Sequence, residues 1–410
     1  MYQRILVALD HSPWSNYGVD LALGLAARFG ARLLGIHVYA ARLHDRRFRQ
    51  MEPGLPERYQ SQVELERLRG THDDLITRGL ALISDSYLEV MAEKCRARGL
   101  PLECQAPEGK NFEMIVRAAR ESQADLVVLG AWGLGRIGDK GYGSEARAGI
   151  GSVCQRTVRQ TRCDVLVAKA GAPLEGGGIL VGVDGSANSV GAVRKAVGLS
   201  KAFEMSLEGI AVFDPLFHKV AFQGLAGVLS AQAAQVFKFQ EQEKLHDELI
   251  DDGLARIYAQ DLERVSLLAQ GEGVAMRTTL LAGRPHLKIA EHVEKTRPAL
   301  LVVGRYGAHR SQGLDIGSVT ENLLRLAETN ILIVGEPGDG QAGLPELTRP
   351  VEAPLPWDPE AEARLDNVPP FARGMARKGI EDYARQHGYP RITLDVYHQA
   401  RRKYGMGSNE

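Results

Sequence analysis

The sequence predicts an α/β chain: two tandem domains, each a doubly wound parallel sheet, followed by a small helical module. Three observations predict it. The first is an internal repeat. "RILVALDHSPWSNYGVDLALGLAARFGARLLGIHVY" (4–39) returns as "GILVGVDGSANSVGAVRKAVGLSKAFEMSLEGIAVF" (178–213). Asp10 then corresponds to Asp184, Val38 to Val212, Gly109 to Gly283, Gly130 to Gly304 and Gly133 to Gly307, each 174 positions on. A period that long means two copies of one fold. The second observation is strand–helix alternation inside each copy. The third is a Pro- and Gly-rich break after residue 336, beyond which only helical patterns occur.

The strands come first. "ILVALD", "LLGIHV", "LVVLG" and "VLVAK" are near-continuous apolar runs. Strands buried on both faces read that way, as in a parallel sheet covered by helices. Between them, "SNYGVDLALGLAARFG" and "FEMIVRAARESQ" carry amphipathic spacing. Crossovers in such a sheet are right-handed, and ligands bind beyond the carboxyl ends of the strands. Asp10, Asp184, Gly130 and Gly304 all fall at such ends. The domains are therefore expected at 1–171 and 172–336, with a linker at 337–356 and the helical module at 357–410. Residues 40–74 form an arginine-rich insertion, read as a solvated loop and long helix or as a partner-binding or lid segment. Its counterpart in the second copy is far more apolar.

The composition narrows the function. With 44% hydrophobic and 25% charged residues the chain is globular, and 410 residues exceed one ordinary core. A net charge of −1 gives no global attraction to nucleic acid or anionic lipid. No apolar run reaches the roughly 20 residues that span a bilayer. The N-terminus reads as a strand and turn. Cys95, Cys104, Cys154 and Cys163 show no C-x-x-C or metal spacing. Reduced, structural thiols in a cytoplasmic protein are the expectation.

The glycines carry the chemistry. Gly304 ends a strand, and Gly307 would let backbone approach a ligand without a Cβ in the way. Gly317 and Ser318 follow after nine residues and open the helical run "VTENLLRLAE". Free N–H groups and the dipole at a helix start favour a phosphate. This constellation, with Asp184, Val212 and Val319, resembles the universal stress protein family in its ATP-binding branch. The resemblance covers residues 1–336 as two copies. It implies a stress-response or regulatory protein that binds ATP, with Asp and Val at the adenosine end and the glycines and serine around the phosphates. Any Mg²⁺ would arrive on those phosphates.

The first copy departs from the pattern. After Gly133 the correspondence slips to 166 positions, so its loop is eight residues longer. Gly143 and Ser144 satisfy the nine-residue spacing, but "EARAGIGS" makes a poor helix. Gly151, Ser152 and Val153 open the better helix "SVCQRTVRQ" and are assigned instead, beside Asp10, Val38, Gly130 and Gly133. Arg136, Lys140 and Arg147 in the loop could reach a phosphate or simply be solvated. The first copy is expected to bind more weakly than the second. The chain shows no G-x-x-x-x-G-K-[ST], no carboxylate pair dedicated to Mg²⁺ and no evident general base, so hydrolysis is expected to be slow at most. His309 is the one loop histidine. A nucleotide-independent scaffold and a slow ATP hydrolase stay open as alternatives. So does the pairing of the copies, within one chain or in a homodimer.

The tail, "WDPEAEARLDNVPPFARGMARKGIEDYARQHGYPRITLDVYHQARRKYGM", reads as helices started at Asp358–Pro359 and Thr393, with one between them ending at Gly388. Trp357, Pro359, Leu365, Phe371, Arg377, Ile380, Glu381, Gly388, Ile392, Thr393 and Val396 resemble the small C-terminal domain of one component of the light-independent protochlorophyllide reductase, its B chain. The catalytic body of that enzyme is absent, so the resemblance implies docking to a protein or a tetrapyrrole-like ligand, not reduction. Leu365, Phe371, Ile380, Tyr383, Leu394, Val396 and Tyr397 are its expected core. Arg401, Arg402 and Lys403 are basic, but base-reading residues are not evident and nucleic acid is not the expected partner.

Overall fold

A computed structural model describes residues 1–135, 149–214, 251–308, 315–335, 355–367, 377, 379–381, 383–384 and 387–403. The chain divides into two compact units, Met1–Pro345 and Glu346–Glu410.

The first unit holds both copies. The first runs β1 (Arg4–Ala8), α1 (Pro13–Phe29), β2 (Arg32–Ile36), α2 (Ala41–Met51), α3 (Gln62–Ala97), β3 (Leu102–Gln105), α4 (Asn111–Glu121), β4 (Leu126–Gly130), α5 (Ser152–Gln160) and β5 (Asp164–Ala168). The second runs β6 (Gly178–Gly182), α6 (Ala187–Phe203), β7 (Ser206–Phe213), α7 (Asp251–Gly271), β8 (Met276–Ala282), α8 (Pro285–Thr296), β9 (Leu300–Gly304), α9 (Ser318–Leu326) and β10 (Asn330–Val334).

The two copies share one sheet of ten strands, ordered β3-β2-β1-β4-β5-β10-β9-β6-β7-β8. Strands are parallel within each half. β5 and β10 alone pair antiparallel, with Leu166 opposite Leu332. Each would otherwise be an exposed edge of four apolar residues in five, an invitation to aggregate. Their pairing answers the question left open by the sequence: the halves join within one chain.

Helices cover both faces. Val19 of α1, Leu88 of α3, Val193 of α6 and Leu262 of α7 share one core layer. Ile115 of α4, Val158 of α5, Ile289 of α8 and Leu323 of α9 share the other. Burying one such side chain contributes about 1.5–3 kcal/mol. Both layers run across the junction, so the halves stabilise each other. Among the described residues no helix is long and apolar enough to cross a membrane, and no group of three or more His, Cys, Asp or Glu could hold a metal.

In the second unit α10 (Pro359–Ala363) and α11 (Leu394–Lys403) are joined by a bridge between Trp357 and Ile392. Thr393 caps α11 by accepting from the Val396 N–H at 3.3 Å, and Gly388 takes the left-handed φ of 72° that stops a helix. The buried cluster is Ala361, Leu365, Ile380, Tyr383, Ala384, Ile392, Val396, Tyr397 and Ala400. Leu394, expected in this core, is only half-buried. Phe371 and most of the helix expected before Gly388 lie outside the described residues.

Candidate functional site

In each half the strand order reverses at the first strand, which pairs with the second on one side and the fourth on the other. β1 lies between β2 and β4. A crevice opens at the carboxyl ends there, as expected of doubly wound sheets. In the first half it is a cavity of about 590 Å³. Asp10, Val38, Gly130, Gly133, Gly151, Ser152 and Val153 all line it. So do Ser15, Asn111, Ile115, Trp132 and Ile150, which the motif did not single out. Asn111 could have been suspected from its place at the start of α4.

The cavity has two chemically distinct ends. β2 supplies Ile36, followed by His37 and Val38, and α4 supplies Ile115, an apolar wall. β2 and β4 flank β1, so about 10 Å separates them. Above β4 stands the start of α5, with Gly151 as N-cap in extended conformation and Ser152 as first helical residue. No side chain caps it, so its leading N–H groups are donors for an anion. Gly143, Ser144, Arg136, Lys140, Arg147 and His309 lie outside the described residues.

The glycines have reasons inside the chain. A Cβ on Gly130 would lie 2.8 Å from the Ser15 nitrogen, and one on Gly304 would lie 2.9 Å from Asn188. These positions let the starts of α1 and α6 rest on the strand ends. A Cβ on Gly133 would lie 2.6 Å from Asp10 Oδ2, and one on Gly307 would lie 2.7 Å from Asp184 Oδ2. The second glycine thus makes room for the neighbouring carboxylate, where the motif alone points to room for a ligand. The N–H of Gly151 donates to Ala131 O, and that of Gly317 to Arg305 O, both at 2.8 Å. Gly109 and Gly283 close turns, donating to Tyr39 O and Phe213 O at 2.9 Å.

The two carboxylates are wired differently. Asp10 Oδ1 accepts from the Ser12 N–H at 3.0 Å. The Ser12 hydroxyl donates instead to Trp132 O at 3.2 Å and caps α1 by accepting from Ser15 N–H. In the second half Asp184 accepts from Ser186 N–H, from the Ser186 hydroxyl at 2.6 Å and from Ala308 N–H at 2.9 Å. Among the described residues, Asp10 therefore keeps acceptor capacity that Asp184 has already used. Val212 is buried beside β8. Ser318 is the first residue of α9 and Val319 the second, after the N-cap Gly317.

The surroundings differ too. Tyr258 has its phenol pushed up by burial and by Asp184 and Asp261. Burial likewise raises the Asp261 carboxyl, Arg264 opposing and Asp184 adding. In the first half burial pushes the His37 imidazole down, against a pull from Asp10. Cys154 lines the cavity, but burial pushes its thiol up to about 12 and leaves it inert.

Residues 1–169 and 178–335 each match the model of the universal stress protein family. Residues 357–401 match that of the proto-chlorophyllide reductase 57 kD subunit. A universal stress protein of Methanocaldococcus jannaschii is 28% identical over 159 residues, covering 39% of this chain and 82% of that one. The B chain of the light-independent protochlorophyllide reductase of Roseiflexus castenholzii is 44% identical over 61 residues, 15% of this chain and 10% of that one. The chain thus spans about a tenth of the length of the reductase chains it matches. Among solved structures, a universal stress protein from Archaeoglobus fulgidus superposes with a TM-score of 0.51 at 15% identity, covering 81% of this chain and 98% of that one. A functionally unknown protein from Pseudomonas aeruginosa gives 0.52 at 14%, covering 81% and 92%. At these identities the structures speak for the fold alone. The repeated motif, the shared sheet and the two matches over most of the chain lead to one conclusion: this chain belongs to the universal stress protein family, with two copies of the family's domain built into one sheet.

Proposed function

We propose that the first unit is an ATP-binding regulatory protein of the stress response, and that its better-formed site is the first-half cavity. The observation that carries this is the convergence of all seven expected first-half residues on one cavity, with an uncapped helix start at one end. Adenine would lie against Ile36, Val38 and Ile115. Asp10 would accept from a ribose hydroxyl, and the N–H groups at Ser152 would meet the phosphates. The second half would bind through Asp184, Val212, Gly304, Gly307, Gly317, Ser318 and Val319. Its engaged carboxylate favours weaker binding there, the reverse of the order expected from loop length. No described residue stands as a general base at the phosphate end, so the reading is of a sensor, with hydrolysis slow at most. The test is mass spectrometry of protein purified without added nucleotide, then calorimetry with ATP. Retained ATP and two unequal sites are expected; no heat and no retained nucleotide would leave the scaffold reading.

We further propose that the second unit docks a partner protein or a tetrapyrrole-like ligand. Deleting residues 340–410 is expected to leave ATP affinity within twofold. Titration of a porphyrin into the full chain is expected to shift its Soret band, and the deletion to abolish that shift. A truncated chain that unfolds would show the module to be integral to the fold.

A further inference from the structure

We infer that Arg305 is a positioning residue that couples the two nucleotide sites; the inference rests on the ATP-binding reading above. Arg305 follows Gly304 directly. Its carbonyl accepts from the Gly317 N–H at 2.8 Å and so holds the N-cap of α9. Its side chain, only 2% exposed, leaves the second half. One guanidinium nitrogen donates to Val158 O and the other to Cys163 O at 3.2 Å. Val158 sits in the last turn of α5, the helix whose first turn opens on the first-half cavity. A cation at a helix C-terminus stabilises the same dipole that an anion favours at the N-terminus. α5 is about 13 Å long, so guanidinium and phosphate would grip its two ends.

The reverse connection exists as well. Lys169 Nζ donates to Leu324 O at 2.7 Å and Ala327 O at 2.6 Å, at the end of α9. It also lies 5.7 Å above the ring of Trp132, which lines the first-half cavity. Val158 and Leu324 are equivalent positions, 166 apart. Their cations are not equivalent: Arg305 corresponds to Ala131, and Lys169 to Gly335. Each half thus supplies one cation to the other half's phosphate-facing helix. A shift of either glycine loop on binding is carried to the far helix end, and the effect must be reciprocal in free energy.

Trp132 lines the first-half cavity and packs edge-on against Trp14, 5.2 Å away, which gives a reporter for that site. The third tryptophan is Trp357, in the second unit. ATP is titrated into full-length wild type and into Arg305→Ala and Arg305→Lys, following tryptophan fluorescence and thermal unfolding. Arg305→Ala changes no residue lining the cavity, yet first-site affinity is expected to fall at least fivefold, with Lys restoring part. Glu321→Gln, which cuts the ion pair to Arg159 between the halves and leaves Arg305, Lys169 and Arg159 itself in place, is the control. It is expected to lower the melting temperature and leave first-site affinity within twofold. First-site affinity unchanged in Arg305→Ala would overturn the coupling. Should that variant not fold, unchanged affinity in Arg305→Lys and Arg305→Gln would overturn it equally. No ATP response in wild type would overturn the ATP-binding reading as well.

Discussion

The two halves share a topology and differ in how they hold it at the same positions. After the first strand, the first half has His11 at a left-handed φ of 58°, where the second has Gly185 at 76°. That region costs a residue with a Cβ about 1–2 kcal/mol. The imidazole offsets it by stacking on Tyr87, with centroids 5.2 Å apart and planes 10° apart. In the second half Asp261 occupies the position of Tyr87. Its Oδ2 would lie 2.4 Å from a Cβ on Gly185, so any larger residue there would have to push that carboxylate aside. Behind the glycine loops, Thr320 donates to Gly304 O at 2.8 Å where the first half has the inert Cys154. The halves follow one backbone path at these positions and pack it with different side chains.

Three experiments probe how independent the halves are. The largest effect on stability is expected from Gly130→Ala and Gly304→Ala. Each Cβ meets main-chain atoms of the helix that starts above it, and such overpacking costs about 1–3 kcal/mol. Chemical unfolding should show similar losses from either half; a loss confined to one would mean the shared sheet does not distribute the strain. Next come Gly151→Val and Gly317→Val, whose Cβ atoms would press on Ala131 O at 3.0 Å and Arg305 O at 3.2 Å. Gly151→Val is expected to weaken ATP binding at least tenfold, about 1.4 kcal/mol, as read by Trp14 and Trp132. Gly317→Val should abolish only the weaker calorimetric phase and reach the tryptophans only through Arg305. Tight binding retained in Gly151→Val would return the stronger site to the second half.

The smallest effect is expected at the junction itself. Glu321 accepts from Arg159 at 2.6 Å, Arg325 at 2.8 Å and Gln155 at 3.2 Å. Arg325 and Arg159 are equivalent positions, and so are Glu321 and Gln155, so one carboxylate serves arginines from both halves. The hydrogen bond from Arg159 holds this carboxyl below its ordinary 4.5. Its contribution is therefore present above about pH 4.5 and lost as pH falls through the depressed folded value. Both partners are partly solvated, so Glu321→Gln should cost about 0.5–1 kcal/mol at neutral pH and flatten the acid limb of the unfolding profile. An unchanged acid limb would place that sensitivity elsewhere.

Much of this was written in local sequence. The repeat shows when the sequence is laid against itself, and the apolar runs of β1, β2, β4 and β5 and the helices opening at Ser152 and Ser318 depend on neighbours a few residues apart. Hydrophobic period and cap chemistry suffice to read them. The rest depends on chain path. Whether β5 meets β10 of its own chain or of another is not encoded in an apolar run. The reason for Gly133 is Asp10, and the reason for Gly307 is Asp184, each more than a hundred residues away. In sequence Arg305 is simply the residue between Gly304 and Tyr306. It became a cap for the other half's helix only when antiparallel pairing brought Val158 and Cys163 within reach of its guanidinium. Local interactions set the elements, and contacts distant in sequence set what those elements do for one another.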